Sequence, residues 1–278
     1  MLDVFSYPVS ALMKTLHDLL GLVTDPTSGL AWAGSVVLLV ATVRLLLLVP
    51  TWRQLQASHR MAALRPRLTA LREQHGDDRA GYLAAARQLQ SEEGVGLAGC
   101  LPVLLQLPVF LGLYHLLAGF TVGGAGGNGV FGADEVDSFA HATVAGVPLS
   151  AAVRTPAVVL GQLAPGLDLA AVLAVAGPLL LVAAAAAFLG ARHARARQAL
   201  TAPAADDAVG AALRSVGGTM VWMAPAGVLV SGLVLPVPLA LVLYWAVNGT
   251  WTTVQTWLLT RRLDGRAVGV GRDVGPGR

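Results

Sequence analysis

The chain has 278 residues, of which 55% are hydrophobic and only 13% are charged. A soluble domain carries about 25% charged residues, so this composition excludes an ordinary water-soluble protein and favours one whose surface faces lipid. The single cysteine, Cys100, excludes an intramolecular disulfide, and no CxxC, HExxH or paired-histidine motif indicates a metal site, so we expect neither metal nor cofactor.

The first predicted segment, residues 1–28, lies outside the membrane. Asp3 stands near the start, and neither a clear apolar core nor a small-residue cleavage site follows, which argues against an ordinary signal peptide. Apolar residues recur at helical spacing at Val4, Tyr7, Ala11, Leu12 and Leu16. This pattern predicts a short amphipathic helix that lies on the membrane surface. A poorly ordered tail is the alternative.

Five later stretches are long and apolar enough to cross a hydrocarbon core, which takes about 20 helical residues. They lie near residues 30–50, 95–119, 167–190, 216–235 and 237–259. The segment 120–166 is Gly-rich at its start and is broken by Pro148, Arg154 and Pro156. We interpret it as an external loop with short interfacial helices. The predicted fold is therefore an all-α membrane protein with five transmembrane helices.

Basic residues give the predicted orientation, because lysine and arginine accumulate on the cytoplasmic side. Sixteen of the nineteen basic residues lie in segments 51–94, 191–215 and 261–278. With five spans, these three segments are on the same side of the membrane. The other side has only Lys14 and Arg154. This bias predicts an external N-terminus and a cytoplasmic C-terminus. The core is then residues 29–263, followed by a basic cytoplasmic tail, residues 264–278.

Residues 51–94 hold two helical patterns separated by His75-Gly76-Asp77-Asp78, where Gly76 suits a helix end. The apolar positions of the two patterns are Leu64, Leu68 and Leu71, then Leu83, Ala86 and Leu89. The segment predicts a cytoplasmic helical hairpin with charged outer faces. It is long for a bare connector, so we favour a functional hairpin over two helices that only join spans.

Arg44 is the most informative residue, because it lies within the apolar run LLVATVRLLLLVP. A charge at that depth costs about 2.5 to 3.5 kcal/mol on insertion scales. The long arginine stem could reach the headgroups instead. Polar residues on one side of the last span offer a second explanation; they are Tyr244, Asn248, Thr252 and Gln255, with Trp245 beside them.

Such a polar stripe needs water or polar neighbours within the membrane. Gln106, in the second span, could face the same space. Ordinary hydrogen bonds between helices, worth about 0.6 kcal/mol each, would account for any single member. Arg44 and the stripe together favour a hydrated cavity.

Other chemistry finds little support in the sequence. No carboxylate lies within the core of a predicted span, and Asp168 is at an edge, which argues against a proton or cation pump. Ser231 and His115 lack the setting of a serine protease. We therefore expect a protein that is not an enzyme.

Four segments, in chain order, resemble successive signatures of the YidC/Oxa membrane protein insertases. They are RLLLLVP, the basic hairpin, GLAGCLPVLLQLPVFLGLYHLL and LALVLYWAVNGTWTTVQTWLL. The resemblance covers residues 20–263, and the blocks CLPxLLQxPVF and LVLYWxVN are fairly specific. The outer loop departs from the family, and Val40 stands where the family often has a polar residue.

The resemblance implies an insertase and chaperone for newly made proteins of the cytoplasmic membrane, with a groove open to the cytoplasm and closed outside. Arg44 matches the groove arginine, Tyr244 and Trp245 the aromatic pair of the last span, and Gln106 a polar groove position. Asn248, Thr252 and Gln255 would complete the groove. The hairpin would receive the substrate, and its contact residues would be Arg60, Arg65, Arg67 and Arg72.

The partners implied are nascent membrane proteins and the lipid bilayer, with the ribosome and the Sec translocon as further candidates and no specificity for nucleic acid. The basic tail would approach the ribosome or only touch anionic lipid. A small transporter or channel, which needs a path open at both faces, is the alternative function. An assembly partner would need no groove.

Overall fold

The computed structural model describes residues 3–94, 111–120, 127–201 and 208–273. Helices dominate these residues, as the composition predicts. The helices are α1 (Asp3–Gly21), α2 (Gly29–Leu46), α3 (Leu48–His75), α4 (Arg79–Glu92), α5 (111–118), α6 (Ala133–His141), α7 (Ala157–Leu163), α8 (Leu169–Thr201), α9 (Ala208–Val234) and α10 (Leu239–Asp273). The strands are β1 (Thr143–Val144) and β2 (Val147–Pro148).

The chain divides into two compact units. The first comprises Met1–Leu46, Leu104–Phe188 and Met223–Trp251, and the second comprises Leu47–Val103, Leu189–Trp222 and Thr252–Arg278.

Among the described residues, two helices, Gly29–Leu46 and Leu169–Arg197, are long and apolar enough to cross a membrane, and Gly218–Val234 is a shorter apolar helix. They correspond to the first, third and fourth predicted spans. The first ends at Leu46 rather than near residue 50, and the chain continues directly into α3. Most of the second predicted span, 95–119, lies outside the described residues.

In the first unit, α1 packs along α2 as a helix, which confirms the predicted helix. The buried residues of α1 are Ser6, Val9, Ser10, Met13 and His17. Of the predicted apolar side, Tyr7 and Ala11 are exposed, and Leu12 and Leu16 are half-buried. The placement of this apolar side on a membrane surface stays a prediction.

Aromatic rings form the centre of the first unit. Trp32 of α2 is 1% exposed and contacts the rings of Phe120, Phe131 and Phe139 at centroid distances of 5.3 to 6.0 Å. His17 of α1 stacks on Trp32 with centroids 3.6 Å apart. Burial of these rings fixes α1, α2 and the outer loop to one core.

The outer loop holds the predicted short helices, α6 and α7, and a β-hairpin that we did not predict. Its two strands pair antiparallel, Thr143 with Pro148 and Val144 with Val147. Ala145 and Gly146 between them have φ of 51° and 80°, as a two-residue hairpin turn of this handedness requires.

The turn between α9 and α10 is tight, as the two prolines at 236 and 238 predict. The first amides of α10 donate outside the helix: Leu239 N–H to the Ala151 carbonyl at 2.8 Å, and Ala240 N–H to the Leu149 carbonyl at 3.0 Å. These bonds satisfy donors that a helix N-terminus leaves unpaired. The outer loop thus holds the beginning of the last apolar helix.

In the second unit, α3 and α4 pack against each other around buried Leu64, Leu68 and Ala86. Gly76, with φ of 48°, ends α3, and the Asp78 carboxylate caps α4 by accepting the Gly81 N–H at 2.9 Å. This is the predicted helical hairpin, except that Leu83 is exposed rather than packed inside. The last helix, α10, continues to Asp273, so the predicted tail begins as helix.

Candidate functional site

Arg44 lies in the last turn of α2 and is half-buried. Its Nε and Nη2 atoms both donate to the side-chain oxygen of Asn248 on α10, at 2.9 and 2.7 Å. In the part of the chain that the structure describes, no carboxylate pairs with Arg44. A neutral amide therefore fixes the guanidinium without cancelling its charge.

A small cavity of about 20 Å³, which has room for about one water molecule, lies beside this pair in the first unit. Helices α1, α2, α5 and α10 all contribute to its wall. The lining residues are Val9, Leu39, Val40, Val43, Leu113, Tyr244 and Asn248. The wall is mainly aliphatic, and Tyr244 and Asn248 are its polar members. Val40 contributes an apolar surface to this wall.

The structure brings three of the predicted groove residues, Arg44, Tyr244 and Asn248, to this cavity or its edge. Trp245 is half-buried and packs against the core of the same unit. Thr252 is half-buried and Gln255 is buried, but both belong to the second unit. Gln106 lies outside the described residues.

The four predicted contact arginines of the hairpin all lie on α3. Arg60 and Arg67 are exposed, and Arg65 and Arg72 are half-buried. Arg67 forms an ion pair with Glu93, which follows the end of α4, and its Nη1 atom lies 3.1 Å from Glu93 Oε1. Because both partners of this pair are largely exposed, it adds little to stability.

Sequence reasoning missed the contribution of α1 to the cavity wall through Val9. A signal was present, because Ser6, Ser10, Lys14 and His17 recur at intervals of three or four residues and mark one polar side of α1.

The polar side of α1 contacts the outer loop. Ser10 Oγ accepts the Val130 N–H at 3.2 Å and donates to the Tyr7 carbonyl at 2.9 Å. Lys14 pairs with Glu135 of α6, and its Nζ lies 5.8 Å from the Phe131 ring centroid. The hydrogen bond to Glu135 raises the pKa of Lys14. Burial opposes ionisation of Glu135, but the bonds from Lys14 and the Gly132 N–H outweigh it and hold the Glu135 pKa below its usual value.

His17 closes this polar side against Trp32. Burial lowers the pKa of its ring, which favours the neutral imidazole. Its Nδ1 atom is buried and has no hydrogen-bond partner among the described residues. Those residues also contain no group of three or more His, Cys, Asp or Glu side chains that could hold a metal ion.

Comparison with known proteins gives consistent matches. The family model described as 60Kd inner membrane protein matches residues 23–266. A membrane protein insertase YidC of Mycobacterium leprae is 36% identical over 275 residues, which cover 91% of this chain and 68% of the relative. The YidC insertase of Mycobacterium tuberculosis H37Rv is also 36% identical, with 91% and 71% covered. That of Corynebacterium glutamicum is 35% identical, with 93% and 64% covered.

Proposed function

The chain belongs to the 60Kd inner membrane protein family, the YidC/Oxa-type membrane protein insertases, and from this premise we propose that it inserts newly made proteins through the cavity beside Arg44 and Asn248. It is a multi-pass helical protein of the cytoplasmic membrane. It acts as an insertase and chaperone and is not an enzyme. The observation that carries the proposed site is the arginine held by a neutral amide at the edge of a cavity.

Insertion requires no bond chemistry, because its barrier is the desolvation of a hydrophilic tail in the membrane. A charged side chain at the bilayer centre costs about 2.5 to 3.5 kcal/mol on insertion scales. A cavity that admits water into one half of the bilayer shortens the distance over which the tail must travel without water. The segment then needs to cross only the remaining half.

Arg44 supplies attraction to acidic side chains in such a tail. Because Asn248 is neutral, the positive charge stays available to the substrate, and the low surrounding dielectric strengthens its pull. The two hydrogen bonds hold the guanidinium in one place, so attraction needs no prior ordering of a long side chain. The contact is transient, since the tail must leave again.

The apolar span of the substrate then moves into lipid along α10, on the side of Tyr244 and Trp245. Both offer an apolar ring with a polar atom, which suits a surface that meets water and hydrocarbon in turn. Burial in lipid at about 25 cal/mol per Å² of apolar surface drives this step.

The proposed topology has five spans, an external N-terminus and a cytoplasmic C-terminus, which follows from the distribution of basic residues. The α3–α4 hairpin then lies in the cytoplasm and receives the substrate, with Arg60, Arg65 and Arg72 as its contact residues. Arg67 contacts the substrate as well, once the substrate replaces Glu93 as its ion-pair partner. The ribosome and the Sec translocon are proposed partners of this cytoplasmic side.

The test is complementation of an insertase-depleted bacterium by the wild-type chain, Arg44→Ala and Arg44→Lys. The readout is insertion of a single-span reporter with an acidic external tail. We expect rescue by the wild type and by Arg44→Lys and loss with Arg44→Ala. Equal rescue by Arg44→Ala would remove the proposed role of the charge. Failure of the wild type, with the protein shown to be in the membrane, would remove the insertase itself.

A further inference from the structure

We propose that the hydrophilic tail of a substrate leaves the cavity outward between α1 and residues 129–135 of the outer loop. This boundary is called the α1 seam below; its side chains are Ser6, Ser10, Lys14 and His17 on α1 and Phe131 and Glu135 on the loop. The inference rests on the proposed insertase function and extends it, by naming where the translocated part of the substrate crosses the outer half of the protein.

The buried side of α1 carries polar as well as apolar side chains. Ser6, Ser10 and His17 are only 4%, 0% and 5% exposed, beside Val9 and Met13 at 9% and 0%, whereas Tyr7 and Leu19 are more than half exposed. Polar groups that line an internal boundary compensate a hydrophilic chain for the water it loses there.

The seam begins where the cavity ends. Val9 lines the cavity together with Val40 and Val43 of α2, and Ser10 follows Val9 directly. Eight residues later, His17 stacks on Trp32, which lies near the start of α2. From Val9 to His17, α1 therefore runs about 12 Å back along α2, away from Arg44. With the proposed topology this direction is outward.

Ring burial around Trp32 holds α1, α2 and the loop in one core, but the polar contacts across the loop side of the seam are exchangeable. They are the hydrogen bond from Val130 N–H to Ser10 Oγ, the pair of Lys14 with Glu135, and the approach of Lys14 to the Phe131 ring. Lys14 and Glu135 are each about one-third exposed, so water can replace either partner. On its other side α1 is fixed to α2 by the close stack of His17 on Trp32. The seam therefore opens between α1 and the loop.

His17 contributes a further polar group to the seam. Its ring has a hydrogen bond with the Ala31 backbone, and its buried Nδ1 atom has no hydrogen-bond partner in the described segments. Buried polar atoms in proteins are nearly always hydrogen-bonded, so a ring nitrogen in this position is available to water or to the backbone of a passing chain.

A reversible cross-link tests whether the seam must open. In a Cys100→Ser background, Lys14→Cys and Glu135→Cys are joined by a short bifunctional methanethiosulfonate. The matched control joins Asp137→Cys to His141→Cys, an i,i+4 pair within α6 that does not cross the seam. Two reporters are inserted in vitro, one with a hydrophilic tail to be translocated and one with almost no external tail.

We expect the Lys14–Glu135 cross-link to lower translocation of the tailed reporter about tenfold, with recovery on reduction, and to leave the tailless reporter unchanged. The α6 cross-link changes neither reporter. Undiminished translocation by protein shown to be fully cross-linked overturns the α1 seam while the insertase stands. If the reduced proteins and the wild type insert neither reporter, the proposed function fails, and the seam with it.

Disulfide capture tests contact directly. Ser10→Cys is nearly isosteric, and Tyr7→Cys on the exposed side of α1 is its control. Each is combined with one cysteine in the tail of a substrate stalled during insertion. We expect a disulfide adduct at position 10 that exceeds the adduct at position 7 at least severalfold. Equal adducts at the two positions, or more at position 7, overturn the inference.

Discussion

Arg44 and Asn248, 204 positions apart in the chain, are joined by two hydrogen bonds that share one acceptor, the Asn248 side-chain oxygen. An acidic residue at 248 would accept the same bonds and also neutralise the guanidinium. The chain thus has a fixed and uncancelled positive charge beside its cavity.

The first prediction concerns this charge. Asn248→Asp should leave the helix packing intact but lower insertion of an acidic-tailed reporter about tenfold, which corresponds to about 1.4 kcal/mol of lost attraction. A reporter with a neutral tail serves as the control and should be unaffected. An equal loss for both tails would show that the substitution damages the protein in some other way.

The second prediction concerns the pH dependence of the packing of α1 around His17. Burial lowers the pKa of His17 below its ordinary 6.5. The charge of Asp18, the hydrogen bond to the Ala31 backbone and the charge of Glu135 oppose this shift, and Lys14 adds to it. When α1 detaches, His17 takes up a proton more readily than in the packed state. The packing of α1 is therefore at full strength above pH 6.5 and weakens as the pH falls below it.

Hydrogen exchange of α1 amides in lipid nanodiscs at pH 7.5 and 5.5 measures this effect. Exchange should be faster at pH 5.5, after correction for its intrinsic pH dependence. His17→Phe keeps a ring on Trp32 and does not titrate, so its corrected exchange should be the same at both pH values. The Lys14–Glu135 pair stays charged throughout this window, because the pKa of Glu135 lies below 4.5 and that of Lys14 above 10.5. A pH response that persists in His17→Phe would contradict the assignment.

The third prediction concerns the start of α2. A Cβ atom on Gly29 would lie 1.8 Å from the Thr143 carbonyl oxygen in β1, so Gly29→Ala must displace the β-hairpin. Overpacking of this kind costs about 1 to 3 kcal/mol. The measurement is the midpoint of thermal unfolding in detergent, which should fall. Gly177→Ala in α8 meets no atom within 4 Å and should leave the midpoint unchanged or raise it.

The fourth prediction concerns the helical hairpin. Leu64→Ala removes a side chain that is 4% exposed and should destabilise the hairpin by about 2 to 5 kcal/mol. Exchange of α3 and α4 amides should accelerate while exchange in α2 does not. Leu83→Ala, on an exposed face of α4, should change the exchange little. Insertion assays on the same two variants then show whether an ordered hairpin is required for activity.

The sequence predicted much of this architecture because the apolar runs are long and the hairpin repeats are regular. Arg44 within an apolar run indicated a polar partner, and one member of the polar stripe on the last span, Asn248, is that partner. The β-hairpin escaped prediction because strands of two residues are too short for an alternating pattern.

The buried side of α1 did not follow from the sequence for a different reason. The apolar pattern predicts an amphipathic helix on the membrane and does not say which residues pack against other elements. The structure buries Ser10 and His17 together with Val9 and Met13. In lipid the apolar side can face outward at no cost, and only the partners, Val130 and Trp32, decide which side packs. Those partners are distant in sequence, so periodicity alone does not reveal them.

The bonds from the first amides of α10 to the Leu149 and Ala151 carbonyls have a mechanical consequence. They hold one end of α10, so a tilt of the helix within this unit is a rotation about that end. Tyr244 is about 7.5 Å and Asn248 about 13.5 Å along the helix from Leu239. A tilt of about 10° therefore displaces Tyr244 by about 1 Å and Asn248 by about 2 Å. A small change of helix angle moves the amide that positions Arg44 further than it moves the cavity wall at Tyr244, so angle and charge position are coupled.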